Sequence, residues 1–358
     1  MTRLRSTGGR GRMEGMPEPT LPAPRTADPM EAPPARWAIL GTGNIARSFT
    51  RALRHGTRQE VVAVGSRSPE RAQEFADEFG LSTAYGSYED LVADPSVDVV
   101  YIASPHSEHR DHALLAIEAG KAVLVEKAFT RNASEAGEVL EAATRRGVFA
   151  MEAMWMRFLP HTDVVRQAVE SGLLGEVLTV MADHGQALYP DGPERLAAPH
   201  LAGGSLLDLG VYPLSFASMV LGPFATVTAV GSLTEEGVDA QLGITVTTDG
   251  DALGLVGSSM VTKTPTTAAV AGTSARLEID GDFYSPQRVR LLARDGRVLD
   301  SYEPEVREHG FRYEAAEVAR CLHDGMLESA LMPHAETLRV MEAMDQVRRQ
   351  VGVRYPGE

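Results

Sequence analysis

Short apolar runs alternate with amphipathic stretches between residues 37 and 151. The apolar runs predict buried strands at 37–40, 60–65, 97–102, 122–125 and 148–151. Apolar residues at helical spacing predict helices between them at 45–54, 69–79, 109–119 and 132–146. Strands that alternate with helices of this length form βαβ units, so we predict an α/β domain with a parallel sheet over residues 35–155.

The pattern changes after about residue 156. One helix is predicted at 161–171 and another after Gly203-Gly204, and two more end the chain at 311–323 and 334–350. Between them, turn residues separate strand-like stretches at 226–233, 240–248, 252–261, 266–272, 275–280 and 287–293. Strands so closely spaced indicate a mostly antiparallel sheet, which predicts an α+β domain over residues 156–358.

Residues 1–34 are rich in Pro, Gly and Arg and show no periodicity. They lack the apolar stretch of a secretory signal. This composition predicts either a disordered tail or an over-extended translation start. In both cases we expect removal of the segment to leave folding and turnover unchanged.

Composition excludes several classes of protein. Of 358 residues, 43% are apolar and 23% are charged, which is too hydrophobic for a disordered chain. The net charge of −15 argues against nucleic acid or a membrane surface as partner, and no apolar run predicts a transmembrane helix. The single cysteine, Cys321, excludes a disulfide framework within one chain and favours a reducing, cytoplasmic location.

A glycine-rich turn follows the first predicted strand and opens the first helix. It reads Gly41-Thr42-Gly43-Asn44-Ile45-Ala46, which is a G-x-G-x-x-A pattern. The first glycine permits the tight turn, the second lets a pyrophosphate approach the backbone, and the small Ala46 allows close helix packing. The pattern predicts a dinucleotide site with Asn44 and Ile45 at the helix start, against the alternative of an ordinary βα turn.

The end of the second strand indicates which dinucleotide binds. An NAD site usually carries an acid there, but this strand continues as Ser66-Arg67-Ser68 and the first acid is Glu70. Ser66, Arg67 and Arg71 offer donors and charge to a 2′-phosphate, so we predict NADP, with NAD possible. The alternative is that both arginines are solvated surface charges.

Lysine is rare in this chain, since Lys121, Lys127 and Lys263 are the only three among 34 basic residues. Lys127 follows Glu126 at the carboxyl end of a predicted buried strand, where α/β sheets bind their ligands. Unlike Arg, a partly desolvated Lys can exchange a proton near neutral pH. Lys127 is therefore a candidate acid/base, against the alternative of a surface lysine paired with Glu126, while Lys121 is interpreted as a helix C-cap.

A second candidate cluster lies in Gly203-Gly204-Ser205-Leu206-Leu207-Asp208-Leu209-Gly210-Val211-Tyr212-Pro213. Asp208 and Tyr212 would share one helical face and could form a proton relay with an amine. Pro213 favours a kink or a late helix start, which weakens that inference. The alternative is that Asp208 is a cap and Tyr212 a core residue.

At these motifs the chain resembles the glucose–fructose oxidoreductase / inositol dehydrogenase / MocA family, within it the branch of dihydrodiol and xylose dehydrogenases. The resemblance spans about residues 36–352. Besides the turn and the Gly203–Pro213 segment, it rests on Ser104-Pro105-His106 with His109, on Glu126-Lys127, on Met151–Arg157 and on Met332–Thr337.

The resemblance implies a doubly wound Rossmann domain followed by an α+β domain with a large open sheet that often mediates dimerisation. It implies Lys127 as acid/base, with Asp208 and Tyr212 completing the site. It further implies Ser104, Pro105, His106, His109 and Glu126 beside the cofactor, and Trp155 and Arg157 near the substrate. Taken alone, His109 would be a helix-start histidine, Trp155 a core residue and Arg157 a surface charge.

One position departs from the family motif Glu-Lys-Pro, because Ala128 stands where proline is usual, often after a cis bond. A cis bond before a residue other than proline costs about 3–4 kcal/mol. The sequence therefore favours a trans peptide that would re-aim Lys127.

The resulting hypothesis is an NADP-dependent oxidoreductase that moves a hydride between nicotinamide and a hydroxyl or carbonyl carbon of a sugar or cyclic diol. The alternative is a non-catalytic dinucleotide sensor with the same fold. We expect a homodimer or higher homo-oligomer. No metal site is predicted, since His106, His109 and His112 fall on a nucleotide-side segment without ligand spacing.

Overall fold

The computed structural model describes residues 18–305 and 310–358. Its first sheet has six parallel strands: β1 Arg36–Leu40, β2 Glu60–Gly65, β3 Thr83–Tyr85, β4 Val99–Ile102, β5 Ala122–Glu126 and β6 Ala150–Ala153. Their order is β3-β2-β1-β4-β5-β6, so the strand order reverses between β1 and β4. This is the doubly wound arrangement, and it confirms the predicted parallel sheet.

Five helices connect these strands: α1 Asn44–Gly56, α2 Pro69–Phe79, α3 Tyr88–Ala93, α4 His109–Glu118 and α5 Ala133–Arg146. Local sequence sets their ends. Ser68 caps α2 by accepting from Arg71 N–H, and Asn132 caps α5 by accepting from Glu135 N–H. Gly80 and Gly147 end the same two helices with left-handed backbone.

The second sheet has eight strands: β7 Val177–Gly185, β8 Thr226–Leu233, β9 Asp239–Thr247, β10 Leu253–Ser259, β11 Ala268–Gly272, β12 Ala275–Ile279, β13 Val289–Ala293 and β14 Val298–Tyr302. Their order is β14-β13-β12-β11-β7-β10-β9-β8. All pairs are antiparallel except β7 with β10. The mostly antiparallel sheet is thus confirmed, although β7, β14 and the short β3 and α3 were not predicted.

Four further helices accompany this sheet: α6 Pro160–Glu170, α7 Val211–Leu221, α8 Phe311–His323 and α9 His334–Val351. Helix α7 packs against β7, and α9 packs against both β8 and α5, so it joins the two sheets. Among the described residues, Pro199–Leu221 is long and apolar enough to cross a membrane, but 83% of its apolar window is buried in the fold. A core helix has the same composition.

The prediction of a disordered tail is wrong for residues 18–34, while residues 1–17 lie outside the described residues. Leu21 N–H donates to Asp300 Oδ2 at 2.8 Å, and Arg25 binds Asp163 through both its backbone N–H and its guanidinium. Ala32 is fully buried. The segment needs no periodicity, because side chains of the folded body bind its backbone groups.

Candidate active site

A cleft of about 820 Å³ opens where the carboxyl ends of β1, β2, β4 and β5 face the second sheet. In a doubly wound sheet this edge, at the reversal of strand order, is where ligands bind. The lining includes most of the predicted site residues: Gly41, Gly43, Asn44, Ile45, Ser66, Arg67, Arg71, Ser104, Pro105, His106, His109, Glu126, Lys127, Asp208 and Tyr212.

The glycine-rich turn forms one end of the cleft. Gly41 has φ +105°, a backbone conformation that disfavours any side chain. A Cβ there would also lie only 2.9 Å from Ala103 O, so the close contact excludes a side chain as well. A Cβ on Gly43 would meet no protein atom within 4 Å, because it would point into open space. Ala46 is fully buried and packs α1 onto the sheet. The N-terminus of α1 at Asn44 therefore faces a space suited to an anion.

Ser66, Arg67 and Arg71 form the neighbouring wall. Ser66 Oγ accepts a hydrogen bond from Ser68 N–H at 3.2 Å, while Arg67 and Arg71 keep exposed side chains. Glu70, the first acid after this strand, accepts a hydrogen bond from Ser68 Oγ at 2.7 Å and does not line the cleft. This wall is therefore positively charged.

Two buried histidines lie within hydrogen-bond distance of the consecutive backbone carbonyls of Lys127 and Ala128. His106 Nε2 lies 3.2 Å from Lys127 O, and His109 Nδ1 lies 2.9 Å from Ala128 O. Burial lowers the pKa of His106 to about 3 and that of His109 to about 4, so both rings are neutral at pH 7. The Lys127–Ala128 peptide is cis, so the expected trans peptide is wrong.

Lys127, Asp208 and Tyr212 meet at the centre of the cleft. Lys127 Nζ donates to Asp208 O at 2.7 Å and lies 3.5 Å from Asp208 Oδ1. The same nitrogen sits 5.1 Å from the ring centroid of Tyr212. Residues 206–210 form a π-helical turn that leads directly into α7, which places Pro213 at the third position of that helix. The shared face of Asp208 and Tyr212 is therefore preserved.

Among the described contacts, Trp155 binds the Tyr212 hydroxyl, whereas the expected relay required Lys127 or Asp208 as its partner. It accepts a hydrogen bond from Trp155 Nε1 at 2.9 Å, whereas Lys127 faces the Tyr212 ring. Burial raises the pKa of Tyr212 well above its ordinary value, so the phenol is protonated at neutral pH. It can therefore donate its proton in a hydrogen bond to a ligand.

Asp208 is the charged partner of Lys127. Burial opposes its ionisation, but the charges of Lys127 and Arg195 outweigh burial and hold the pKa of Asp208 well below its usual value. Burial raises the pKa of Glu126, although Lys127 beside it acts in the opposite direction. Glu126 accepts from Tyr101 Oη–H and from Lys127 N–H, so it holds the backbone of the lysine.

Comparison with known proteins decides the family. The model of the GFO/IDH/MocA oxidoreductase family with an NAD-binding Rossmann fold matches residues 35–154, and the model of its C-terminal domain matches residues 162–281. The chain belongs to the GFO/IDH/MocA family of oxidoreductases. Its family members act as dehydrogenases and ketoreductases on CH–OH groups, and the match confirms the resemblance seen in the motifs.

Two relatives and two solved structures are similar to this chain over most of its length. Trans-1,2-dihydrobenzene-1,2-diol dehydrogenase from Danio rerio is 36% identical over 89% of this chain and 98% of its own length. The D-xylose 1-dehydrogenase (NADP(+)) of Hypocrea jecorina is 35% identical over 90% and 93%. A 3-ketoreductase from Actinomadura kijaniata, in complex with NADP and TDP-benzene, superposes with a TM-score of 0.78 at 26% identity over 89% and 98%. An aldose-aldose oxidoreductase from Caulobacter crescentus with glycerol has a TM-score of 0.80 at 25% identity, over 89% and 98%.

Trp155 and Arg157, which the family resemblance placed near the substrate, do not line the cleft. Trp155 instead donates a hydrogen bond to the Tyr212 hydroxyl. Arg157 is buried, where its guanidinium donates to Ser215 Oγ and Ser215 O and pairs with Glu336. Arg157 Nε and Nη2 therefore bond inside the second domain, away from the lining of the cleft.

Among the lining residues that were not predicted, four polar ones come from the second domain: His184, Gln186, Arg195 and Tyr284. The His184 ring stacks on Tyr284 with centroids 4.4 Å apart, and burial lowers the pKa of His184 to about 4. His184 shares the buried face of β7 with Val180 and Ala182, so the alternation along that strand could have revealed it. Arg195 lies in an irregular loop, and nothing in the sequence pattern marks it.

Proposed function

We propose that this protein is an NADP-dependent dehydrogenase or reductase that acts on a hydroxyl or carbonyl carbon of a sugar or cyclic diol. The observation that carries this proposal is the position of Lys127 Nζ, in one cleft with the glycine-rich turn and 3.5 Å from the ionised Asp208. A cleft that joins a dinucleotide turn to an acid/base suits redox chemistry at an alcohol carbon.

The residues present fit a dinucleotide. The open space in front of Gly43 and the N-terminus of α1 would hold its pyrophosphate, and Ser104 to His109 would lie beside its nicotinamide. When bound, the cofactor supplies the hydride acceptor or donor. The protein's own contribution is to orient the substrate and to move a proton.

We assign to Lys127 the transfer of the hydroxyl proton of the substrate. In alcohol oxidation the neutral Nζ accepts the hydroxyl proton, and in carbonyl reduction the ammonium returns it. Asp208 stabilises the ammonium form electrostatically, and the protonated Tyr212 hydroxyl donates a hydrogen bond to the substrate oxygen. His106 and His109 hold the backbone that carries the lysine.

A substrate panel tests this function directly. Sugars, cyclic diols and the corresponding carbonyl compounds would be supplied with NADP or NADPH, and the absorbance of NADPH would be followed. The dihydrodiol and xylose dehydrogenases among the relatives support this choice of compounds. NADP binding without turnover across the whole panel would favour the alternative of a non-catalytic sensor.

Cofactor choice provides a first prediction. Because Ser66, Arg67 and Arg71 offer charge and a hydroxyl to a 2′-phosphate, NADP should bind at least ~10-fold tighter than NAD, about 1.4 kcal/mol. Arg67→Ala should weaken NADP and leave NAD almost unchanged. Titration of both cofactors checks this, with the exposed Arg145→Ala on α5 as control. Equal affinities in the wild type would exclude the preference.

A second copy of the chain is the proposed occupant of the open face of the second sheet. Met181, Leu255 and Val230 are exposed there by 49%, 44% and 72%, and Leu255 pairs with Met181 across β10 and β7. An apolar face of this kind is typical of an interface between subunits. Leu255→Asp should therefore shift the sedimentation coefficient to that of a monomer, whereas Met326→Asp, at another exposed apolar position, should not. A wild type that sediments as a monomer would contradict the proposal.

A further inference from the structure

The shortest described polar contact of the Lys127 amine is with the backbone of the second domain. Lys127 Nζ donates to Asp208 O at 2.7 Å, whereas Asp208 Oδ1 lies 3.5 Å away. The Lys127 side chain is only 13% exposed, so this carbonyl takes the place of water as a hydrogen-bond partner. The position of the amine therefore depends on the path of the backbone through residues 206–210.

The π-helical turn at residues 206–210 leaves the Asp208 carbonyl open to an outside donor. Val211 N–H donates to Leu206 O, which lies five residues earlier in the chain. In this register the donor to Asp208 O would come from position 213, but Pro213 has no N–H. Lys127 supplies a donor to that carbonyl instead.

Asp239, the first residue of β9, binds the start of this turn. It is fully buried, and its Oδ2 accepts from Leu206 N–H at 2.6 Å and from Ser205 Oγ–H at 2.9 Å. The first N–H groups of a helical segment have no partner within it, so a side-chain acceptor fixes where the segment begins. Gly204 has φ +115°, and a Cβ there would clash with Asp239 Oδ1, so the close approach of the carboxylate requires glycine.

Tyr355 binds the same segment from beyond the last helix. Its hydroxyl donates to Gly203 O at 2.7 Å, and the residue is only 4% exposed. The Arg348 guanidinium lies 4.5 Å from the centroid of the Tyr355 ring and packs it in place. Asp239 and Tyr355 are distant in the sequence, and neither lines the cleft. Together they anchor residues 203–206 from outside the cleft.

We propose that Asp239 and Tyr355 are positioning residues for proton transfer. By fixing residues 203–206, they set the place at which the π-helical turn presents Asp208 O to Lys127 and Tyr212 to the cleft. This inference rests on the proposed acid/base role of Lys127. A displacement of about 1 Å can cost about 10²-fold in rate, so loss of an anchor slows turnover without touching the cofactor.

The first measurement compares kcat, with the panel compound that the wild type turns over fastest, and NADP affinity by titration. Asp239→Leu has no acceptor and should lower kcat by about 10–10²-fold, with NADP affinity unchanged. Asp239→Asn should retain most of the activity, because its carbonyl oxygen can still accept from Leu206 N–H. Tyr355→Phe removes one hydrogen bond and should cause a smaller loss of kcat. It also tests the proposal if Asp239→Leu does not fold.

Asp163→Leu is the matched control. Asp163 is also a buried carboxylate that accepts from a backbone N–H, that of Arg25, but it does not line the cleft. The variant should unfold at a lower urea concentration than the wild type, while its folded form keeps the wild-type kcat. A loss of stability alone is thereby separated from a loss of position.

Tryptophan emission provides a second readout that needs no substrate. It comes from Trp37 and Trp155 alone, and Trp155 Nε1 donates to the Tyr212 hydroxyl. If the π-helical turn moves, Tyr212 moves with it. The emission maximum should therefore change in Asp239→Leu and stay at the wild-type wavelength in Asp163→Leu.

Two outcomes would overturn this inference. Wild-type kcat and emission in both Asp239→Leu and Tyr355→Phe would show that the anchors do not position the turn. An equal loss of kcat when Asp239→Leu is added to the wild type and to Lys127→Met would show that Asp239 does not act through the lysine. If the wild type turns over no compound of the panel, the proposed function fails, and the emission alone decides whether the anchors position Tyr212.

Discussion

Replacing Lys127 with methionine is expected to lower kcat by about 10²–10⁴-fold, as is typical when a general acid/base is lost. Methionine keeps the length of the side chain but cannot accept the hydroxyl proton. NADP affinity should change much less, because the glycine-rich turn and the Ser66–Arg67 wall lie apart from Nζ in the same cleft. Steady-state turnover and cofactor titration, measured on the same preparation, check both expectations.

Two further variants sharpen this prediction. Lys127→Arg should rescue little, since the guanidinium retains its proton at working pH. Tyr212→Phe should also slow turnover, and its effect should be far from additive with that of Lys127→Met if both act on one substrate oxygen. Near-wild-type turnover in Lys127→Met would refute the assignment. Loss of NADP binding alone would make Lys127 a binding residue.

Removing the carboxylate of Glu336 should lower the free energy of unfolding by about 3–5 kcal/mol. Glu336 pairs with Arg157, and the two side chains are only 7% and 4% exposed. Glu336→Ala leaves the Arg157 charge buried with Ser215 as its remaining hydrogen-bond partner among the described contacts. Urea unfolding of the wild type and the variant measures the loss.

The surface partner of Glu336 provides the control. Arg339 binds the same carboxylate from a half-exposed position, so Arg339→Ala should cost less than about 1 kcal/mol. Replacing the pair with Arg157→Met and Glu336→Leu should recover part of the stability, because both buried charges disappear together. Equal losses of unfolding free energy in Glu336→Ala and Arg339→Ala would show that the buried pair stabilises the fold no more than the surface pair.

The first sheet could be predicted because its strands are buried on both faces. Runs such as Val99–Ile102 read as continuous apolar segments, and the helices between the strands carry strong caps at Ser68 and Asn132. The short β3 is half-buried at the sheet edge and has only three residues, too few to establish a pattern.

The second domain was harder to predict, because partners distant in the sequence determine its structure. Strand β7 pairs with β10 and β11, which follow much later in the chain. Residues 18–34 likewise owe their order to Asp163 and Asp300, not to any local pattern. Missing β7 also meant missing His184 and Gln186.

The candidate site was predictable where residues able to bind a cofactor or transfer a proton follow the end of a predicted strand. Gly41, Gly43 and Lys127 follow the ends of buried strands. In a parallel sheet these strand ends share one edge, so the topology places the three residues at the edge where ligands bind. The pairing of Asp208 with Lys127 required the packing of the second domain onto the first. The inward direction of Arg157 depends on Glu336, which lies in the last helix.

The position of β7 also sets the order in which the chain can fold during synthesis. The first sheet can be completed once Ala153 has left the ribosome. Strand β7 cannot pair until its two neighbours, β10 and β11, emerge. Residues 186–252 separate β7 from β10, which at about 5–20 residues per second corresponds to roughly 3–13 s of translation. During this interval both hydrogen-bonding edges of β7 are unpaired on the nascent chain. Until β10 and β11 emerge, these two edges are templates for pairing with another nascent chain.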